Sequence, residues 1–210
     1  MSKLQNVIDI VVAGKARKVE AAVQEALDDG VEATDLLAGM IDAMGVVGER
    51  FKEGEIFVPE MLVAAKAMKM GVDKIKPYLA SGEVGASGKV IIGTVAGDLH
   101  DIGKNLVAMM IESSGFEVLD LGVDVTTEKF VEAVNANPDV KIVALSALLT
   151  TTMPAMKDAV EALNQQAFRK DIKIMVGGAP ITREFAQEIG ADAYTADAAS
   201  AAQQAKEFGA

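Results

Sequence analysis

A single histidine, His100, and no cysteine in 210 residues narrow the chemistry open to this chain. Disulfides, thiolate-bound zinc, iron–sulfur clusters and thiol nucleophiles are excluded, and so is any site that needs two or three imidazoles. Histidine chemistry here must use one ring. That ring lies in the run Gly97-Asp98-Leu99-His100-Asp101-Ile102-Gly103-Lys104-Asn105. An imidazole that binds a metal through one nitrogen commonly donates its other N–H to a carboxylate, and Asp98, two residues earlier, is spaced to be that partner. Gly97 and Gly103 would let a bulky group approach the backbone. The plainer alternative makes His100 a cap for a helix starting near Gly103. A phosphate cradle fails on spacing, because five residues separate Gly97 from Gly103-Lys104 where four are needed, and Asn105 follows in place of Ser or Thr.

The elements that must position this loop can be read from patterning. The length allows one or two domains with a real core. Half the residues are hydrophobic and 24% are charged, and no apolar run approaches the ~18 residues of a membrane span. The net charge of −11 would repel a phosphate backbone, so neither nucleic acid nor membrane is an expected partner. The apolar stretch at residues 7–13 is broken by Asp9 and makes no convincing signal peptide, so a cytoplasmic location is expected. Residues 4–79 carry helical spacing: Leu4, Val7, Ile8 and Val11; then Val19, Ala22, Val23, Ala26 and Leu27; then Leu37, Met40, Ile41, Met44 and Phe51; then Met61, Ala65, Met68, Val72, Ile75 and Leu79. These stripes predict four antiparallel helices in a bundle, with Gly14 and Gly30 at turns and Pro59 in the first turn of the fourth helix.

Residues 81–88 are rich in Gly and Ser and read as a flexible linker. Beyond them, strand candidates at 89–95, 117–121, 140–146, 173–176 and 192–195 alternate with helical patterns. Runs such as Val90-Ile91-Ile92 and Ile142-Val143-Ala144-Leu145 suit strands buried on both faces, which predicts a doubly wound parallel sheet of five strands. Ligands of such sheets lie beyond the carboxyl ends of the strands, where the loop of His100 falls.

Three segments in order, Asp98-x-His100-x-x-Gly103, Ser146-x-Leu148 and Gly177-Gly178, resemble the signature of cobalamin-binding domains. The run from Phe51 through Val58 to Glu60 resembles the cap motif of corrinoid methyltransferase proteins, including cobalamin-dependent methionine synthase. The resemblance spans nearly the whole chain and is closest to the small corrinoid proteins of methanol, methylamine, glycine betaine and O-demethylase methyltransferase systems. It implies an N-terminal four-helix-bundle cap (1–82), a linker (83–88) and a flavodoxin-like, five-stranded α/β domain that binds cobalamin (89–210).

Carried over residue by residue, the resemblance makes His100 the lower axial ligand of cobalt in a base-off, His-on state. Asp98 would hold the far nitrogen of His100, and Thr152 would complete a proton relay where relatives often have Ser. Leu99, Asp101, Ile102 and Gly103 would complete the cofactor loop. Ser146, Leu148 and Thr150 would line the slot for the displaced nucleotide tail, Gly177 and Gly178 would leave room for it, and Ala198 would touch it. Phe51 and Val58 would cover the upper corrin face. The corresponding plain readings are turn chemistry for the Ser and Gly positions and bundle core for Phe51, Phe57 and Val58; the methionines on helix stripes read as core filling.

The resemblance further implies a methyl carrier that is not catalytic alone. A substrate-specific methyltransferase would load the cobalt, a second enzyme would pass the methyl group to tetrahydrofolate or coenzyme M, and a reductive activase would restore the cofactor. Proton uptake on the His100–Asp98–Thr152 chain would accompany methyl departure, and the linker would act as a hinge. The alternatives are a cobalamin-dependent sensor and the cobalamin subunit of an isomerase, which shares Asp-x-His-x-x-Gly; the helical cap disfavours the latter.

Overall fold

The structure, a computed structural model, describes residues 2–79 and 87–209. Most of the linker segment expected from sequence, residues 81–86, lies outside the described residues. The chain divides into two compact units, one helical and one built on a sheet.

The helical unit holds α1 (Lys3–Val12), α2 (Ala16–Asp28), α3 (Ala33–Lys52) and α4 (Val58–Ile75). Each begins or ends on a local signal. The Ser2 hydroxyl accepts the Gln5 N–H at 3.1 Å and caps α1, while Gly14 and Gly30 adopt φ of +62° and +85° where α1 and α2 end. Before α4 the Glu60 carboxylate accepts the Phe57 N–H at 3.0 Å, and Pro59 sits in the first turn. Around the bundle α1 packs on α2, α2 on α4, α4 on α3 and α3 on α1. Val7, Val19, Val23, Leu36, Met40, Met44, Val47, Met61 and Met68 are buried between them.

Three details differ from the helical pattern. On α3 the buried stripe runs through Leu36, Met40, Ala43, Met44 and Val47, and Leu37 and Ile41 lie at its margin. The seam of α4 stops at Ile75: Pro77 enforces a single 3₁₀ turn at Lys76–Tyr78, and Leu79 is extended. Phe57 is 66% exposed, so it is not bundle core; it precedes α4, outside the buried stripe.

In the second unit the strands are β1 (Lys89–Thr94), β2 (Glu117–Asp120), β3 (Val140–Ser146), β4 (Lys173–Gly177) and β5 (Ala193–Tyr194). All pair in parallel in the order β2-β1-β3-β4-β5. Alternate strand residues enter opposite cores, because side chains point to opposite faces with period two. Ile91, Val143, Leu145, Ile174 and Val176 pack with residues of α6 (Thr127–Ala136), α7 (Met153–Asn164) and α8 (Arg183–Glu188). Val90, Ile92, Ile142, Ala144 and Met175 pack with α5 (Ile102–Glu112) and α9 (Ala198–Gly209). The chain runs from β1 out to β2 and then back across to β3, so the topological switch falls at the carboxyl ends of β1 and β3.

Candidate functional site

The register of the sheet places the sequence motifs on one level. Thr94 pairs with Ser146, and Ser146 with Gly177, so the carboxyl ends of β1, β3 and β4 finish in a row. Three segments far apart in sequence thereby leave the sheet side by side, next to the switch point.

From the end of β1 the chain turns at Gly97, whose φ is +79°. That turn buries Asp98 completely and leaves the His100 side chain half-exposed. One carboxylate oxygen of Asp98 lies 2.6 Å from His100 Nδ1 and also accepts the His100 N–H at 3.1 Å. The other accepts the Leu148 N–H at 2.7 Å and the Thr152 hydroxyl at 2.9 Å. Burial alone would push the Asp98 carboxyl up, but the Leu148 N–H, the His100 ring and N–H, and the Thr152 hydroxyl outweigh it and hold the group well below the usual carboxylate range. An ionised Asp98 therefore keeps a proton on His100 Nδ1 and turns the Nε2 lone pair outward. Nε2 has no hydrogen-bond partner among the described residues.

His100 does not act as a helix cap: its ring is committed to Asp98, and the first turn of α5 is closed by the Asn105 N–H donating to the Asp101 carbonyl at 2.7 Å. The buried Thr94 hydroxyl donates to the His100 carbonyl at 2.9 Å and ties the loop back to β1.

The other candidate residues fall into three settings. Leu99, Ile102 and Leu148 are exposed apolar side chains on the rim of this edge, joined by Leu149. Asp101, Gly103 and Thr150 are exposed, and a Cβ added to Gly103 would meet nothing within 4 Å. Ser146 ends β3, and its carbonyl accepts the Val95 N–H at 3.0 Å. Gly177 and Gly178 have a reason internal to the protein: a Cβ would lie 2.9 Å from the Thr195 carbonyl oxygen at the first and 1.8 Å from that of Ala147 at the second. Ala198 is buried at the start of α9. Phe51, partly buried at the end of α3, and Val58, 39% exposed at the start of α4, belong to the helical unit.

Sequence reasoning missed four contributors. Thr94 and Asp124 carry no motif; Asp124 is the one non-glycine residue with positive φ among those described. Lys104, weighed in the sequence only for a phosphate cradle, is buried, with Nζ on Asp120 and on Asn105 Oδ1. The spacing to Asp120 crosses a whole βα unit, so no local pattern could have revealed that pair.

Among the described residues no group of three or more His, Cys, Asp or Glu could hold a metal ion. No helix in that set is long and apolar enough to cross a membrane.

Two family models match the chain, both described as a B12 binding domain, over residues 88–205 and 4–76. Dimethylamine corrinoid protein 1 of Methanosarcina acetivorans is 40% identical over 207 residues, covering 98% of this chain and 96% of that protein. A cobalamin-binding protein of Desulfitobacterium hafniense has a similar structure, with a TM-score of 0.83 at 32% identity and 98% of both chains covered. A chain of the methanol:cobalamin methyltransferase complex of Methanosarcina barkeri aligns with a TM-score of 0.84 at 29% identity, over 99% of this chain and 79% of that one.

Proposed function

The chain belongs to the B12-binding family of corrinoid proteins, and from that premise we propose that it carries a methyl group on cobalamin held base-off by His100. Cobalamin is the cofactor, and it supplies a cobalt centre able to accept and give up a methyl group. Its fit to this chain rests on three observations: a half-exposed ring held by Nδ1, with no hydrogen-bond partner for Nε2 among the described residues, open space over Gly103, and the exposed apolar Leu99, Ile102, Leu148 and Leu149, which a broad apolar macrocycle would cover.

The single observation that carries the reading is the His100–Asp98 pair. A carboxylate with no exposure, ionised and fixed by four donors, holds the imidazole by Nδ1 at 2.6 Å. It sets the tautomer, orients the ring and leaves Nε2 as the one ligating atom. Asp98 stands beside the ring as the acidic member of the proposed relay. Thr152 steadies the second oxygen and is the third member of this relay. Ser146, Thr150, Gly177, Gly178 and Ala198 are assigned to the nucleotide tail, and Phe51 and Val58 to shielding of the bound cofactor.

Residues 1–82 form the cap in this reading, 83–88 the linker and 89–210 the cofactor domain. The chain is a carrier that turns nothing over alone. Its partners are a substrate-specific methyltransferase, a methyltransferase acting on tetrahydrofolate or coenzyme M, and a reductive activase, and its site of action is the cytoplasm. The names of similar proteins, a dimethylamine corrinoid protein and a methanol:cobalamin methyltransferase complex, support this class of partner.

The test is the absorbance spectrum of the protein reconstituted with methylcobalamin beside His100→Ala. A stoichiometric His-on spectrum in the wild type and a base-off spectrum in the variant are expected. Identical spectra would remove His100 from the cobalt.

A further inference from the structure

We propose that Asp124, in the loop between β2 and α6, is a positioning residue for the cofactor ligand, acting through Asp98 by clamping the Gly97–Asp98 turn from outside. The inference rests on His100 being the lower ligand. Asp124 Oδ1 accepts the Gly97 N–H at 2.7 Å, and the Asp124 N–H donates to the Asp98 carbonyl at 3.0 Å. The two bonds grip both ends of one dipeptide, the turn that sends the Asp98 carboxylate inward and the His100 ring outward.

Asp124 is brought there by the sheet. β1 and the chain after β2 continue side by side past their last strand residues: Val95 bridges Val125 in parallel, and the Val125 N–H donates to the Thr94 carbonyl at 2.9 Å. The clamp is thus anchored to the same strand end from which the His100 loop departs.

The conformation of Asp124 points to a use for its side chain. Its φ is +52°, a region that Asp tolerates but glycine enters at lower cost. Two residues earlier the same loop uses Gly122, at φ +86° with open space around it. A carboxylate kept at the second left-handed position therefore serves its contact with Gly97, not the backbone.

Without that side-chain contact the turn depends on Gly97, which has wide conformational freedom, and on two main-chain bonds that grip Asp98 alone, from the Asp124 N–H to its carbonyl at 3.0 Å and from its own N–H to the Val95 carbonyl at 3.2 Å. The remaining ties, from Leu148, Thr152 and Thr94, hold the Asp98 carboxylate or the His100 carbonyl; they leave the Gly97 peptide free. If the turn occupied its productive form a tenth of the time, apparent cofactor affinity would fall tenfold. That is the order expected for losing one charge-assisted hydrogen bond at a solvent-exposed position.

Three variants separate the causes. Asp124→Gly keeps the backbone conformation and removes the acceptor; Asp124→Asn keeps both an acceptor and tolerance of positive φ; His100→Ala reports the ligand itself. Methylcobalamin is titrated into each apoprotein by absorbance, and urea midpoints of the apoproteins are recorded beside it. Asp124→Gly should raise the dissociation constant about tenfold and shift the bound spectrum toward base-off, with the urea midpoint kept, and Asp124→Asn should restore both binding signals. A wild-type constant and spectrum in Asp124→Gly, an Asp124→Asn as weak as Asp124→Gly, or a urea midpoint lowered enough to account for the weaker binding would each overturn the clamp. A wild-type protein whose spectrum does not differ from that of His100→Ala would instead defeat the ligand assignment on which the clamp rests.

Discussion

Replacing Asp98 by Asn keeps the shape of the side chain and removes the charge that four donors converge on. An amide offers one oxygen and one NH₂, so no orientation can satisfy both pairs. With its oxygen toward His100, the NH₂ faces the Leu148 N–H across a gap now 2.7 Å wide, while Thr152 can turn its hydroxyl to the Leu149 carbonyl at 2.9 Å. The reverse orientation sets an NH₂ against the His100 N–H and forces the imidazole proton onto Nε2, which removes the ligating lone pair. In the better case one backbone donor is orphaned, at ~1–3 kcal/mol, and two charge-assisted bonds to His100 weaken by ~1 kcal/mol each. Part of this is offset because a buried charge no longer needs solvation. The expected cost is about 3 kcal/mol, or a fall of about 1.5 M in the urea midpoint of the apoprotein at pH 7 for an m-value of ~2 kcal/mol/M. The pH dependence carries a definite sign. The native Asp98 value is depressed, so its contribution is present above the unfolded value of about 3.9 and disappears as pH falls toward the native value. The gap between wild type and Asp98→Asn should therefore narrow progressively below about pH 4. A variant within ~0.5 kcal/mol of wild type at pH 7, or a gap independent of pH down to acid unfolding, would refute the account of Asp98 as a buried, ionised hub.

Three further outcomes follow from packing. The Lys104 side chain is 2% exposed and that of Asp120 40% exposed, so the two halves of this pair should not cost the same. Asp120→Ala strands a buried ammonium on Asn105 alone and should destabilise the apoprotein by about 3 kcal/mol, whereas Lys104→Met leaves a carboxylate that water can reach and should cost about 1 kcal/mol; equal urea midpoints would contradict this. Gly178→Ala should abolish folding or cost more than about 3 kcal/mol, because its Cβ would collide with the Ala147 carbonyl at φ +128°. Gly103→Ala meets open space and should leave apoprotein stability level or raise it by up to ~1 kcal/mol while weakening methylcobalamin binding, as read by urea titration and absorbance; a destabilised Gly103→Ala would show that the space is not free.

Much of the fold was legible because it depends on local periodicity. Stripes of Val, Leu and Met at helical spacing located α1 to α4, and doubly buried runs at Val90–Ile92 and Ile142–Leu145 located the central strands. The end of α4 was misjudged at Leu79 because the apolar spacing continues past Ile75 while Pro77 interrupts the backbone. The stripe of α3 was displaced by one position because small residues, Gly39 and Ala43, share its buried face with Met40 and Met44.

The sequence by itself determined the type of ligand atom available, since one imidazole and no thiol leave no other nitrogen or sulfur of that kind, and it determined the two-residue spacing that lets Asp98 reach His100 Nδ1. Tertiary structure decided everything that depends on distant segments meeting. It set Thr94, Ser146 and Gly177 in one row, brought the Leu148 N–H and the Thr152 hydroxyl onto an aspartate about fifty residues earlier, and carried Asp124 to the Gly97 turn. These bonds form between strand ends whose neighbours are chosen by sheet order, and a crossover order such as β2-β1-β3 leaves no periodic trace in the chain.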